Sequence, residues 1–187
     1  MAKPDTIGEE DIRERRQPPP PRPQEPQRAA EAQATPAAPA PLPEEGSLLQ
    51  KITPKTPPQR AASLRITEDG RKLLAYGDNA KALSRLEKAI AVDSTNPYGY
   101  YFLAKAHYSL GRYQESLRFL TVAESLLAGE PYWLSEVFAL RGENYRALGF
   151  LERADMNYAQ ALRLNPGNRV AADGQSRLQE EARPAPR

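Results

Sequence analysis

The sequence predicts an all-α fold: antiparallel helix pairs stacked into a solenoid, preceded by a long proline-rich segment with no core of its own. Three observations predict it. Fourteen of the nineteen prolines lie in 1–60, while every aromatic residue lies between Tyr76 and Tyr158. Large apolar side chains are what offset the entropy of ordering a chain. Residues 1–60 therefore should not fold alone, and the folded part is expected at 61–182. Second, a related stretch recurs three times. Third, apolar residues within each copy follow helical spacing, and no segment alternates in the manner of a strand.

From the N-terminus, QPPPPRPQEPQ (17–27) reads as extended polyproline II, and ATPAAPAPLP (34–43) is a linker of the same kind. Together they predict a semi-rigid, disordered tether. Pro18, Pro21 and Arg22 also make a pattern that proline-binding domains accept, the alternative to a plain spacer. GSLLQKI (46–52) is a short apolar patch between proline blocks. It is either incidental to the linker or a docking motif, for a partner or for the chain's own groove.

The repeated stretches are YGDNAKALSRLEKAIAVD (76–93), LGRYQESLRFLTVAESLL (110–127) and LGFLERADMNYAQALRLN (148–165). Gly77, Gly111 and Gly149 are each followed five residues later by a small residue: Ala82, Ser116, Ala154. Then come a bulky one (Leu86, Leu120, Tyr158) and another small one (Ala89, Ala123, Ala161). Small residues let helices approach closely, and glycine suits the turn between them. The glycines are spaced 34 and 38 residues apart. This pattern resembles the tetratricopeptide repeat family, whose unit is a pair of antiparallel helices.

In that register the units are 63–96, 97–130 and 135–168. Asp69 and Arg141 stand where the family usually has Leu, and Ser94 and Ala128 replace the closing Pro. The extra residues PYWL (131–134) should lengthen the first helix of the third unit by about one turn, with Pro131 at its first position. A last repeat leaves an apolar face uncovered. RVAADGQSRLQEEA (169–182) can cap it, although Gly174 should cost about 1 kcal/mol against Ala. Pro184 and Pro186 end the helix, and 183–187 is expected as a disordered tail.

Little in the chain suggests catalysis. There is no cysteine, and His107 is the only histidine, so thiolate and histidine-cluster metal sites are excluded. His107 falls on an apolar stripe and is expected as a hydrogen-bonded core residue. No phosphate loop, dinucleotide fingerprint or nucleophile elbow occurs. The reading is a non-enzyme with no cofactor. Lys and Arg balance Asp and Glu, nine against nine in 1–60 and thirteen against twelve in 61–168. That balance argues against nucleic acid as partner. No run approaches the ~20 apolar residues of a membrane span, and MAKPDTIGEEDIRERR lacks the apolar stretch of a secretory signal. A soluble protein is expected, cytoplasmic or, if a leader precedes it, periplasmic or envelope-associated.

The resemblance implies an adaptor whose first helices line a concave groove for a peptide or partner helix. By helical phase, Tyr98, Tyr101, Lys105 and Tyr108 share one arc, apart from the packing arc of Tyr100, Leu103, Ala104 and His107. The same register adds Thr67, Arg71, Glu136, Glu143 and Arg146, and Trp133 as an anchor at the rim or a residue packed between units. Arg71, Lys105 and Arg146 are expected to donate to the ligand, Glu136 and Glu143 to accept. Family members that clamp a C-terminal carboxylate use basic and amide residues where this chain has Thr67, Arg71, Phe102, Glu136 and Leu140, so that specificity is not expected. The alternative is a structural protein whose repeats stack end to end as a homo-oligomer of an envelope or surface assembly.

Overall fold

The computed structural model describes residues 46–181. A 3-10 turn at Leu48–Lys51 is followed by seven helices: α1 (Pro58–Ala75), α2 (Asn79–Val92), α3 (Pro97–Ser109), α4 (Tyr113–Leu126), α5 (Pro131–Ala147), α6 (Leu151–Leu164) and α7 (Arg169–Glu181). Consecutive helices pack in pairs, α1 with α2, α3 with α4 and α5 with α6, and α7 packs on both α6 and α5. The first helices also touch one another in series, α1 with α3 and α3 with α5, which makes one face of the array. Residues 1–45 of the tether expected over 1–60, and the tail expected at 183–187, lie outside the described residues.

The turn inside each pair is the same device three times. Gly77, Gly111 and Gly149 have φ of +80°, +73° and +81°, where a Cβ is penalised. Each turn closes the preceding helix with two backbone bonds, as in Gly77 N–H to Leu74 O (3.0 Å) and Asp78 N–H to Leu73 O (2.9 Å). Those bonds satisfy carbonyls that the helix end leaves orphaned. Pro97 and Pro131 open α3 and α5, where a missing N–H costs nothing. With PYWL included, α5 has 17 residues against 13 in α3.

The positions read as bulky in the repeat, Leu86, Leu120 and Tyr158, are all 0% exposed, as are the small residues around them. Tyr158 is the largest of the three, and two glycines make room for it. A Cβ on Gly142 would lie 2.5 Å from its ring, and one on Gly174 would lie 2.4 Å away. Gly174 is therefore where the capping helix accepts the tyrosine. Units one and three share a buried polar clasp. Ser63 Oγ donates to Ala89 O (2.7 Å) and accepts from Asn96 Nδ2 (2.8 Å). Ser135, Ala161 and Asn168 repeat it at 2.9 Å for each bond. Every polar atom of the clasp that has lost water thereby gains a partner.

Order begins before residue 61. Leu48 is 1% exposed and Ile52 packs on the main core, so the patch at 46–52 belongs to the domain. Its three aliphatic side chains are too few to make a core alone, so the sequence left it between a linker patch and a docking motif. Here Leu48 and Ile52 join a core already built by α1 and α3, and Leu49 faces solvent.

Candidate protein-binding site

Two hollows of about 330 Å³ each lie along the face made by the first helices. Tyr101, Lys105, Ser109 and Glu136 line both, so the hollows adjoin along a shared wall. The first extends to Arg71, Leu74, Tyr132 and Gly46, the second to Leu140, Glu143, Val170, Asp173 and Arg177. The lining mixes apolar and aromatic side chains with charged groups of both signs.

Of the ten residues placed here by sequence, the structure brings Arg71, Tyr101, Lys105, Tyr108, Trp133, Glu136 and Glu143 to the walls of these hollows. The expected exposure of Tyr98 and Tyr101 does not hold: they are 5% and 4% exposed. The extra turn of α5 swings Trp133 over them. Its ring meets Tyr98 at 5.1 Å, Tyr101 at 5.4 Å and Phe102 at 5.8 Å, all edge-on. Such contacts favour the aromatic quadrupole. Trp133 is itself 5% exposed, so it fills the junction between units and does not project as an anchor. Thr67 is fully buried, donating to Ser63 O and accepting from Asn96, and offers nothing to a ligand.

The polar groups differ in how much of their capacity is spent. Glu143 is saturated: Oε1 accepts from Tyr158 (2.7 Å) and Arg177 (2.7 Å), and Oε2 from Tyr108 (3.1 Å) and Arg146 (3.1 Å). Burial alone would raise its carboxyl, but the bonds from Tyr158 and Arg146 and the guanidinium charges outweigh it and hold it below the usual value. Glu143 and Arg146 thus tie α5, α6 and α7 together and do not await a ligand. Arg71 is likewise engaged, with Nε and Nη2 on Glu68 at 3.0 and 2.7 Å. Glu136, half-buried, accepts from Tyr101 (3.1 Å) and Asn168 (2.9 Å). Lys105 is exposed and has no ion pair among the described residues. It is the cation that the centre of the face leaves uncommitted.

Sequence reasoning missed Glu68, Glu130 and Arg177. Glu68 is 2% exposed and receives Leu48 N–H (3.2 Å) as well as Arg71. The Arg71 bond, ahead of the opposing effect of burial, keeps its carboxyl low. A signal existed: Glu68 is four residues after Leu64, on the same helix face, and three before Arg71. His107 is buried and stacked on Phe119 at 5.1 Å, with burial pushing its imidazole down. Its Nδ1 has no hydrogen-bond partner among the described residues, so the expected bond is not seen there. Among the described residues no group of three or more His, Asp or Glu could hold a metal, and no helix is long and apolar enough to cross a membrane.

Comparison with known proteins finds similarity to repeat proteins. The tetratricopeptide repeat profile matches residues 73–135. DnaJ homolog subfamily C member 3 of Gallus gallus is 31% identical over 111 residues, 59% of this chain but only 21% of that protein's length. The Arabidopsis OM64 TPR domain superposes with a TM-score of 0.60 at 23% identity, covering 66% of this chain and 98% of that one. The second TPR domain of human RPAP3, solved with the HSP70 peptide SGPTIEEVD, gives 0.55 at 27% identity, covering 64% and 95%.

Proposed function

We propose that this chain, whose helices pack in pairs and whose residues 73–135 match the tetratricopeptide repeat profile, is a non-enzymatic interaction module that lays a segment of another protein along its concave face. The observation that carries the reading is the pair of adjoining hollows that share Lys105, lined by apolar, aromatic and charged side chains, with that one cation left without an ion pair among the described residues. Pockets that bind segments combine apolar lining with a few placed polar groups. The ligand's backbone or a carboxylate meets Lys105, and its apolar side chains rest against Leu74, Leu140 and Val170.

The partner's chemistry differs from that of the RPAP3 ligand SGPTIEEVD. An acidic C-terminus would face Glu136, Glu143 and Asp173, with Arg71 and Arg177 already engaged by this chain's own carboxylates. A mixed-charge segment suits the face better. The test is capture of a native partner by the full chain, compared with three variants. Lys105→Glu and Glu136→Lys should each lose the partner, and Lys88→Glu, exposed on α2, should keep it. Retention by both of the first two would overturn the assignment.

A further inference from the structure

One end of the same face already has an occupant. Leu48 sits in the buried cluster that includes Leu64, Tyr98 and Tyr101. Its N–H donates to Glu68 Oε2 at 3.2 Å. Three residues on, Lys51 Nζ bonds Glu130 Oε2 at 3.0 Å and stands 4.9 Å from the centre of the Tyr98 ring. Tyr98 OH donates to that same carboxylate at 2.6 Å. Between the two anchors, Leu49 and Gln50 face solvent. The segment joins α1 through residues 53–57, which are exposed apart from half-buried Thr56 and bond mainly to one another. Such contacts are those of a bound peptide: one apolar anchor, one backbone amide on a carboxylate, and one cation between a carboxylate and an aromatic face.

We propose that the surface beneath Leu48 and Lys51 is a recognition site for a segment of another protein bearing an aliphatic residue followed three positions later by Lys or Arg. The chain's own 46–52 holds that site in cis. This rests on the reading of the concave face as a binding face, and it adds the ligand pattern for one end. The receiving groups are built by the repeats themselves. Glu68 is fixed on α1 by Arg71, Tyr98 by Trp133, and Glu130 stands at the start of α5. The site also opens onto the first hollow through Gly46, so a longer segment would run from one into the other.

A short tether gives an intramolecular occupant an effective concentration on the order of millimolar. A free copy of the segment should therefore bind poorly until the resident one is released. The experiment uses a fluorescent peptide, GSLLQKI, titrated into the full chain and into a Leu48→Asp/Lys51→Glu variant, with helicity checked by circular dichroism. The variant should bind at least tenfold more tightly than the unaltered chain. Replacing the peptide's lysine by glutamate should abolish that binding, as should adding Glu130→Lys to the variant. If the double variant loses its helices, Lys51→Ala, which keeps Leu48, takes its place with the same expected order. Equal binding to released and unaltered chains, or none to a folded released chain, would overturn the proposal. The peptide reads only the site under 46–52, whereas the Lys105 variants read the hollow, so either reading can fail alone.

Discussion

Replacing Gly174 by Ala sets helix propensity against packing, and the structure decides the sign. Propensity favours Ala by about 1 kcal/mol in a helix interior. The new Cβ, however, would lie 2.4 Å from Tyr158 Cζ, 2.6 Å from Cε1 and 2.7 Å from Cε2. Carbon atoms prefer about 3.5–4.0 Å, so the overlap is roughly 1 Å. The ring cannot easily withdraw. It is 0% exposed, its hydroxyl is held by Glu143 at 2.7 Å, and its Cε1 also lies only 2.5 Å from where a Cβ on Gly142 would stand. Overpacking of this kind costs about 1–3 kcal/mol. The net expectation is destabilisation by about 1 kcal/mol, a fall in melting temperature of roughly 3 °C for a domain of this size. Thermal unfolding followed by circular dichroism reads it. Tyr158→Leu, which copies Leu86 and Leu120, supplies the control: in that background Gly174→Ala should become neutral or stabilising. A rise in melting temperature with Tyr158 present, or the same change in both backgrounds, would refute the packing argument.

Tyr101→Ala and Lys105→Ala should separate stability from surface chemistry. Tyr101 is 4% exposed against Trp133 and Phe102, so its truncation should cost about 3 kcal/mol and lower the melting temperature clearly. Lys105→Ala should leave it nearly unchanged. Acid should weaken the fold in two stages. The buried imidazole of His107 resists protonation below its ordinary 6.5, so the unfolded chain takes up that proton first. Stability then falls from about pH 6.5 downward until the folded imidazole itself titrates. Glu68 and Glu143 are held below their ordinary 4.5, so the stability they add is present above that value. It is lost as pH falls through their lowered folded values. Denaturant melts against pH check both stages, and His107→Phe should remove the upper one. The acidic peptide SGPTIEEVD should not bind the full chain at micromolar concentration by fluorescence anisotropy. Saturable micromolar binding would contradict the charge argument drawn from Glu136 and Asp173.

Sequence and structure part company where long-range packing enters. The glycine at each turn and the proline opening α5 act locally, through φ and a missing N–H, so they are legible residue by residue. Helical phase is equally local, and it places Tyr101 and Lys105 on one arc, where both line both hollows. It does not reveal what crosses over an arc. Trp133 reaches Tyr98 and Tyr101 from a helix more than thirty residues away, and Leu48 enters the same cluster from a stretch that looks like linker. Gly174 shows the same limit: it reads as a helix weakness until the ring of Tyr158 is seen against it.

The central claim, a partner segment on the concave face, is tested most directly by position-specific crosslinking. A benzophenone amino acid placed at Ser109, exposed on the wall of both hollows, should yield one defined adduct with a native partner, and Lys105→Glu should abolish it. The same probe at Lys88, exposed on α2, should yield none. An adduct from Lys88 equal to that from Ser109, or a Ser109 adduct indifferent to Lys105→Glu, would contradict the account.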